Sequence, residues 1–263
     1  MTAYVSQPTR AFCSLLTACF VALGGAHAAT EGSGQKPLDV PFVPTPQHVV
    51  DRMLELAQVG SNDFVIDLGS GDGRIPITAA TRYGARAMGV DLNPERIAEA
   101  NENAKNANVN GKVEFRNQDL FQTPISDATV LTMYLLPSVN MKLRPRILSE
   151  LQPGTRVVSH AFNMGDWEPD RQEKVDGRTL YLWIVPARVA GKWQVTGKQG
   201  FEMQLEQEFQ KITGFALVDG KRLAIDDGRV EGDRIRFSLD GTTYTGQVHD
   251  NRITGEGWSA QKI

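Results

Sequence analysis

The sequence predicts a doubly wound α/β sheet followed by a small antiparallel β-barrel or sandwich, in a chain of 263 residues. Three observations predict it. Between Gln47 and Val185, short apolar runs alternate with segments of helical periodicity, the pattern of a mostly parallel sheet covered on both faces. One of those runs, Phe64 to Leu68, passes into three glycines at every second position and then into a helix. After Pro186 the helical period disappears, and alternating runs are separated by turn pairs.

The elements follow in chain order. Over residues 47–58, Val49, Val50, Met53, Leu54 and Ala57 recur at helical spacing. Residues 64–68 read as a buried parallel strand and 75–83 as the helix after it. Residues 87–90 form the next strand, ending in Asp91, with Asn93 as cap and Pro94 as first residue of the following helix. Strands at 113–116 and 128–134 come next, then a helix over 138–151 that Gln152-Pro153-Gly154 stops. Strands at 156–160 and 179–185 complete the sheet. Beyond it, turns at Asp219-Gly220, Asp227-Gly228, Glu231-Gly232, Asp240-Gly241 and Asp250-Asn251 space out about seven strands. Trp193, Phe209, Phe215, Phe237 and Tyr244 are expected to form the core of this second unit.

The glycine turn selects its ligand by charge. A dinucleotide site of the G-x-G-x-x-G type needs a glycine at position 74, which is Arg74; the glycines stand at Gly69, Gly71 and Gly73. Asp67 precedes them and Asp72 sits at the helix start, where a pyrophosphate would meet like charge. S-adenosylmethionine carries no phosphate but a sulfonium and an amine, both positive, and suits these acids. Asp91 is placed to take both ribose hydroxyls. Asp119, after the 113–116 strand, is within reach of the adenine amine. The alternative is an ordinary glycine-rich turn with capping acids.

Net charge is −3, so composition supplies no basic surface for nucleic acid. Four scattered histidines and no cysteine pair at ligand spacing argue against a metal site. Residues 1–28 read as a secretory signal peptide: Arg10, an apolar stretch from Ala11 to Leu23, then Ala26-His27-Ala28. The apolar stretch is shorter than the roughly 20 residues a membrane span needs. Cleavage after Ala28 removes both cysteines, Cys13 and Cys19, so no disulfide partner remains and the body lies in the periplasm or cell envelope. Two variants are a lipoprotein box at Leu16-Thr17-Ala18-Cys19 and an uncleaved anchor. Residues 29–39 read as a flexible lead-in, 40–186 as the ligand-binding domain and 187–263 as the β-domain.

Several of these segments together resemble a family. Pro41-Phe42-Val43-Pro44, the run from Gly69 to Ile75, Asn93-Pro94, Leu136-Pro137, Arg156-Val157-Val158 and Trp167-Glu168-Pro169-Asp170 resemble class I S-adenosylmethionine-dependent methyltransferases. Within that class they are similar to the lysine methyltransferases of the ATP synthase c-subunit and the adenine nucleotide translocase, and to their bacterial relatives. The resemblance spans residues 41–185 and implies a Rossmann-like methyltransferase sheet with S-adenosylmethionine as donor. It also implies Asp67, Gly69, Gly71 and Gly73 on the methionine end, Asp91 on the ribose and Asp119 near the adenine. The acceptor it implies is a protein lysine, on a partner that can be membrane-associated. The signal segment and the β-domain depart from that family.

Acceptor-side candidates sit at C-terminal strand ends: Tyr134, His160 and the loop with Asp166 and Trp167. Tyr134 orients an amine or walls off the sulfonium. His160 is a general base or a satisfied structural residue. Trp167 to Asp170 is a substrate-facing loop or a packed connection. The reading is a protein-lysine methyltransferase; a small-molecule methyltransferase and an exported, non-catalytic binding protein are the alternatives.

Overall fold

The computed structural model describes residues 43–263. The signal segment, the two cysteines and the 29–39 lead-in lie outside the described residues. Seven strands make the first sheet: β1 (Phe64–Leu68), β2 (Arg86–Asp91), β3 (Val113–Asn117), β4 (Val130–Met133), β5 (Arg156–His160), β6 (Arg171–Val175) and β7 (Arg178–Ile184). Their order is β3-β2-β1-β4-β5-β7-β6. The first five run parallel; β7 is antiparallel to both β5 and β6.

Helices α1 (Gln47–Leu56), α2 (Arg74–Tyr83) and α3 (Pro94–Asn106) pack on one face and α4 (Pro137–Glu150) on the other. The strands serve both cores by alternation. Val65 faces α1 to α3, while Ile66 and Leu68 face α4, because successive strand side chains point to opposite sides. Chain order reverses between β1 and β4, so their C-terminal ends open a crevice at the switch point.

Local chemistry sets the helix ends. Asn93 Oδ1 accepts a 2.9 Å bond from Glu95 N–H, and Pro94 occupies the first helical position of α3. Gly73, the N-cap of α2, has φ +80°, and an added Cβ would stand 2.4 Å from Phe115 Cζ. The turn needs glycine there both for its left-handed backbone and for close packing against β3.

β6 is absent from the sequence-based expectation. Its residues, Arg171-Gln172-Glu173-Lys174-Val175, are polar on both faces, as an edge strand can be. The only local sign of it is the Asp176-Gly177 turn into β7, both residues at positive φ.

The second sheet holds nine strands, not about seven: β8 (Gly191–Gly197), β9 (Phe201–Glu208), β10 (Lys211–Val218), β11 (Lys221–Ala224), β12 (Asp226–Glu231), β13 (Arg234–Leu239), β14 (Thr242–His249), β15 (Arg252–Gly255) and β16 (Trp258–Lys262). All pairings are antiparallel, and β9–β10 contacts close the sheet into a barrel rather than a sandwich. β11 hangs on the end of β10 outside the ring. Asp227-Gly228, expected as a hairpin turn, is a bulge inside β12: the register shifts between Asp226 and Arg229.

Two of the aromatics expected in the barrel core lie elsewhere. Trp193 and Phe237 are fully buried and Tyr244 packs beside them, but Arg222 covers the half-buried Phe215 and Phe209 joins the core under α4. Phe209 stacks on Trp167 at 6.0 Å between ring centroids. Around it, Gln210 Nε2 donates to Glu168 O (2.8 Å), Lys211 pairs with Glu168 (2.9 Å) and Arg229 with Asp170 (2.5 Å). Ala187 N–H donates to Gly232 O (2.7 Å), and Gly232 lies against Gly154. These contacts gather at the N-terminal end of β5 and the C-terminal end of α4, so the barrel docks at the end of the sheet opposite the crevice.

Phe209→Ala removes the ring that plugs this interface. It should cost about 2 kcal/mol in a urea titration, below the range for a fully buried Phe because Phe209 is half-buried. The same variant should bind the crevice ligand as wild type does.

Candidate functional site: the crevice at the switch point

The loop after β1 is tied to the end of β2 by main-chain and carboxylate bonds. Gly69 and Ser70 N–H both donate to Val90 O at 2.9 Å. Asp91 then receives Gly71 N–H on Oδ2 (3.0 Å) and Asn93 N–H on Oδ1 (2.9 Å). One acid thus orders the glycine turn and the start of α3 together, while still facing the crevice.

The crevice, about 280 Å³, is lined by Asp67, Gly69, Ser70, Asp72 and Arg74 from the first loop. Val90, Asp91, Leu92 and Asn93 line it from the second, Gln118 and Leu120 from the third, and Tyr134 to Leu136 from the fourth. Ile75 of α2, Arg96 of α3, Val43 to Thr45 and Phe162 complete the lining; no barrel residue contributes.

Asp67 is 3% exposed and accepts a 2.7 Å bond from Thr132 Oγ1. Burial, with the charges of Asp91 and Asp72 adding, pushes its carboxyl up to about 7. No ion pair reaches it among the described residues. Beside it the buried Ser70 Oγ has no hydrogen-bond partner.

The other sequence-predicted residues divide. Asp72 lines the crevice, but Arg74 holds its carboxylate through Nε (2.9 Å) and a shorter Nη2 contact, so it offers no free negative charge. Gly71 and Gly73 do not line the crevice; they shape the turn behind it. Asp119 is buried and its Oδ1 accepts from Phe121 N–H (2.9 Å), while its neighbours Gln118 and Leu120 face the crevice instead.

On the acceptor side, Tyr134 lines the crevice with His160 behind it, ring centroids 3.9 Å apart, and Phe162 stacked at 6.2 Å. His160 is 1% exposed and lies outside the lining; burial, with the charge of Arg178 adding, lowers it to about 4. A neutral, enclosed imidazole of that weak basicity does not fit the general-base expectation. Asp166 is corrected too: its side chain is 67% exposed, paired with Arg144, and away from the crevice. Trp167 is fully buried and Trp183 Nε1 donates to its carbonyl (2.8 Å), which makes residues 167–170 a packed connection.

Sequence reading missed Thr45, Ser70 and Phe162. Thr45 accepts Arg74 Nη1 on its carbonyl (2.7 Å) and sets its hydroxyl 3.1 Å from His160 Nδ1, bridging the glycine loop and the aromatic end. Its place in the proline-punctuated lead segment was the one available sign.

A glycine turn at the switch point of a 3-2-1-4-5 sheet, with acids ending β1 and β2, defines a class I S-adenosylmethionine-dependent methyltransferase. The model of the ANTKMT methyltransferase domain matches residues 67–171. A protein-lysine N-methyltransferase of Saccharolobus islandicus is 48% identical over 151 residues, covering 56% of this chain and 94% of that protein. The adenine nucleotide translocase lysine N-methyltransferase of Mus musculus is 37% identical, covering 50% of this chain and 57% of that one. A structure described as an RNA methyltransferase from Salinibacter ruber, in complex with S-adenosyl-L-homocysteine, is 56% identical with a TM-score of 0.55, covering 56% of this chain and 96% of that one. The chain belongs to the protein-lysine N-methyltransferase family, and S-adenosylmethionine is its cofactor.

The residues present fit that cofactor. A buried carboxylate without a cation accepts an ammonium, an unpartnered serine hydroxyl accepts or donates beside it, and Val90, Leu92 and Leu120 give an apolar wall for a purine.

The raised Asp67 carboxyl makes a signed prediction. An acid whose folded pKa lies above its unfolded value stabilises the ligand-free fold fully below the unfolded pKa and loses that contribution as pH rises through the folded one. The stability difference, wild type minus Asp67→Asn, should therefore fall between pH 4 and 7 and stay flat above, by on the order of a few kcal/mol. Chemical denaturation of both proteins across that range reads it.

Proposed function

We propose that this protein transfers the methyl group of S-adenosylmethionine to a lysine side chain of another protein. The observation that carries this is the acceptor end of the crevice. Tyr134, Phe162, Leu136 and Val43 form an aromatic and apolar rim, with Val43 and Leu136 exposed at 57% and 38%. Such a rim fits the four-carbon stem of a lysine and disfavours its charged form, so the ammonium gives up one proton to water before the neutral amine attacks. The relatives described as lysine methyltransferases support the same reading.

S-adenosylmethionine supplies an electrophilic methyl carbon on a positive sulfur. We assign Asp67 to its amine, Ser70 to its carboxylate, Asp91 to its ribose and Gln118 with Leu120 to its adenine edge. Tyr134 and Phe162 wall the line of approach. The amine nitrogen forms a bond to the methyl carbon as the carbon–sulfur bond breaks, and the sulfur keeps the electron pair. Holding these atoms collinear is the main task left to the protein.

We also propose that the protein works outside the cytoplasm after cleavage behind Ala28, on an acceptor that can be membrane-associated. The support is Arg10, the apolar stretch and Ala26-His27-Ala28. Among the described residues no helix is long and apolar enough to cross a membrane. N-terminal sequencing of the protein from its own cells should begin at Ala29.

The test of acceptor class uses methyl-labelled cofactor with soluble protein, membrane protein and RNA fractions of the source cells. Label should enter a protein band and hydrolyse to methylated lysine. Asp91→Ala, which loses both the cofactor contact and the loop anchor, should lower cofactor affinity at least about 100-fold and abolish labelling. Label in RNA alone overturns the lysine reading; no cofactor binding by the wild type overturns the site.

A further inference from the structure

The ring that faces Tyr134 across the acceptor rim is placed by a residue outside the crevice. Phe162 sits two residues past β5, on a turn the chain does not adopt readily. Ala161 has φ +67°, a left-handed conformation that costs a residue with a Cβ about 1 kcal/mol or more, so something must hold it. Ala161 N–H donates to Thr179 O (2.7 Å), which fixes one side of the turn.

The other side is fixed by Asn140, on α4. Its side chain is fully buried, and Nδ2 lies 3.2 Å from Ser159 Oγ, 3.2 Å from Phe162 O and 3.3 Å from Asn163 O. Ser159 Oγ donates to the same Phe162 carbonyl at 2.6 Å. One amide and one hydroxyl thus converge on the carbonyl of Phe162, while Asn140 Oδ1 is buried without a partner. A buried amide that satisfies its donor end and leaves its acceptor end unmet costs free energy for a purely structural gain, since an apolar residue could fill the same space. Its geometry instead serves the loop: it faces carbonyls that would otherwise be free to turn.

We propose that Asn140 is a positioning residue for the acceptor, acting through Phe162, with Ser159 as its auxiliary. It locks the strained turn so that Phe162 lies stacked against Tyr134, at 18° between ring planes, and the two rings define the channel for the incoming amine. This rests on the amine-acceptor reading above. Neither Asn140 nor Ser159 lines the cofactor crevice, so their effect should fall on the acceptor step and spare cofactor binding.

The experiment compares wild type, Asn140→Ala, Ser159→Ala and Phe162→Leu in the full chain. Affinity for S-adenosylhomocysteine checks that each variant keeps its crevice. Methyl transfer to Nα-acetyl-lysine methylamide gives kcat and KM for a free lysine side chain. Fluorine NMR of protein labelled with 3-fluorotyrosine, with the Tyr134 signal identified by its loss in Tyr134→Phe, reads the ring directly. Asn140→Ala should keep S-adenosylhomocysteine affinity within about twofold, lower kcat/KM about tenfold or more and shift the Tyr134 signal in the direction seen for Phe162→Leu. Ser159→Ala should do the same more weakly, and carries the test alone if Asn140→Ala does not fold. An unmoved Tyr134 signal, or loss of S-adenosylhomocysteine affinity in proportion to kcat/KM, overturns the proposal. If wild type binds S-adenosylhomocysteine but labels lysine neither in the amide nor in the protein fractions above, the amine reading falls, and the fluorine signal still decides what Asn140 does.

Discussion

The carboxylate of Asp91 is the constraint on which the rest of the site depends. Its two oxygens receive the N–H of Gly71 and the N–H of Asn93, joining the turn after β1 to the turn after β2. Charge-assisted bonds to main-chain N–H groups are among the stronger ones available, and they stand at strand ends that two hydrophobic cores already hold rigid. From that join follow the path of the glycine turn, the start of α3 and the direction in which Asp67 and Ser70 face the crevice. An acid in this position therefore anchors both turns while it lines the crevice.

The second organising contact is Thr45. Through its carbonyl it holds Arg74, which in turn neutralises Asp72; through its hydroxyl it reaches His160, behind Tyr134. The segment ahead of α1 thus touches both the donor end and the acceptor end of one crevice. His160 gains its meaning from this arrangement. A neutral imidazole at the back of Tyr134 stiffens the aromatic wall, where a charged one would have to be buried beside it at a large cost.

How much of this was legible depended on whether the determinant was local. Each parallel strand could be read from its apolar run, and the glycine turn from its spacing, because sterics and burial act within a few residues. The acids at Asp67 and Asp91 could be placed in the crevice because strand ends at a switch point open onto it. Asp72 and Asp119 show the limit: charge and position were visible, but Arg74 and the Phe121 amide that occupy them were not. The same limit applies to Asp166, which Arg144 draws out to the surface, and to Phe209, whose neighbours come from the other domain. β6 was hidden for a different reason, since an edge strand with two polar faces carries no period. Asp227-Gly228 has the composition of a hairpin and the register of a bulge, and only the partner strand decides between them.

The closing strand of the barrel lies beside the opening one: Lys262 pairs with Trp193, and Ile263 N–H reaches Lys192 O at 3.0 Å. The first and last strands of the barrel therefore share one seam. The closed ring leaves only β11, on β10, as an edge for a stray strand to join, and no residue of the barrel lines the crevice.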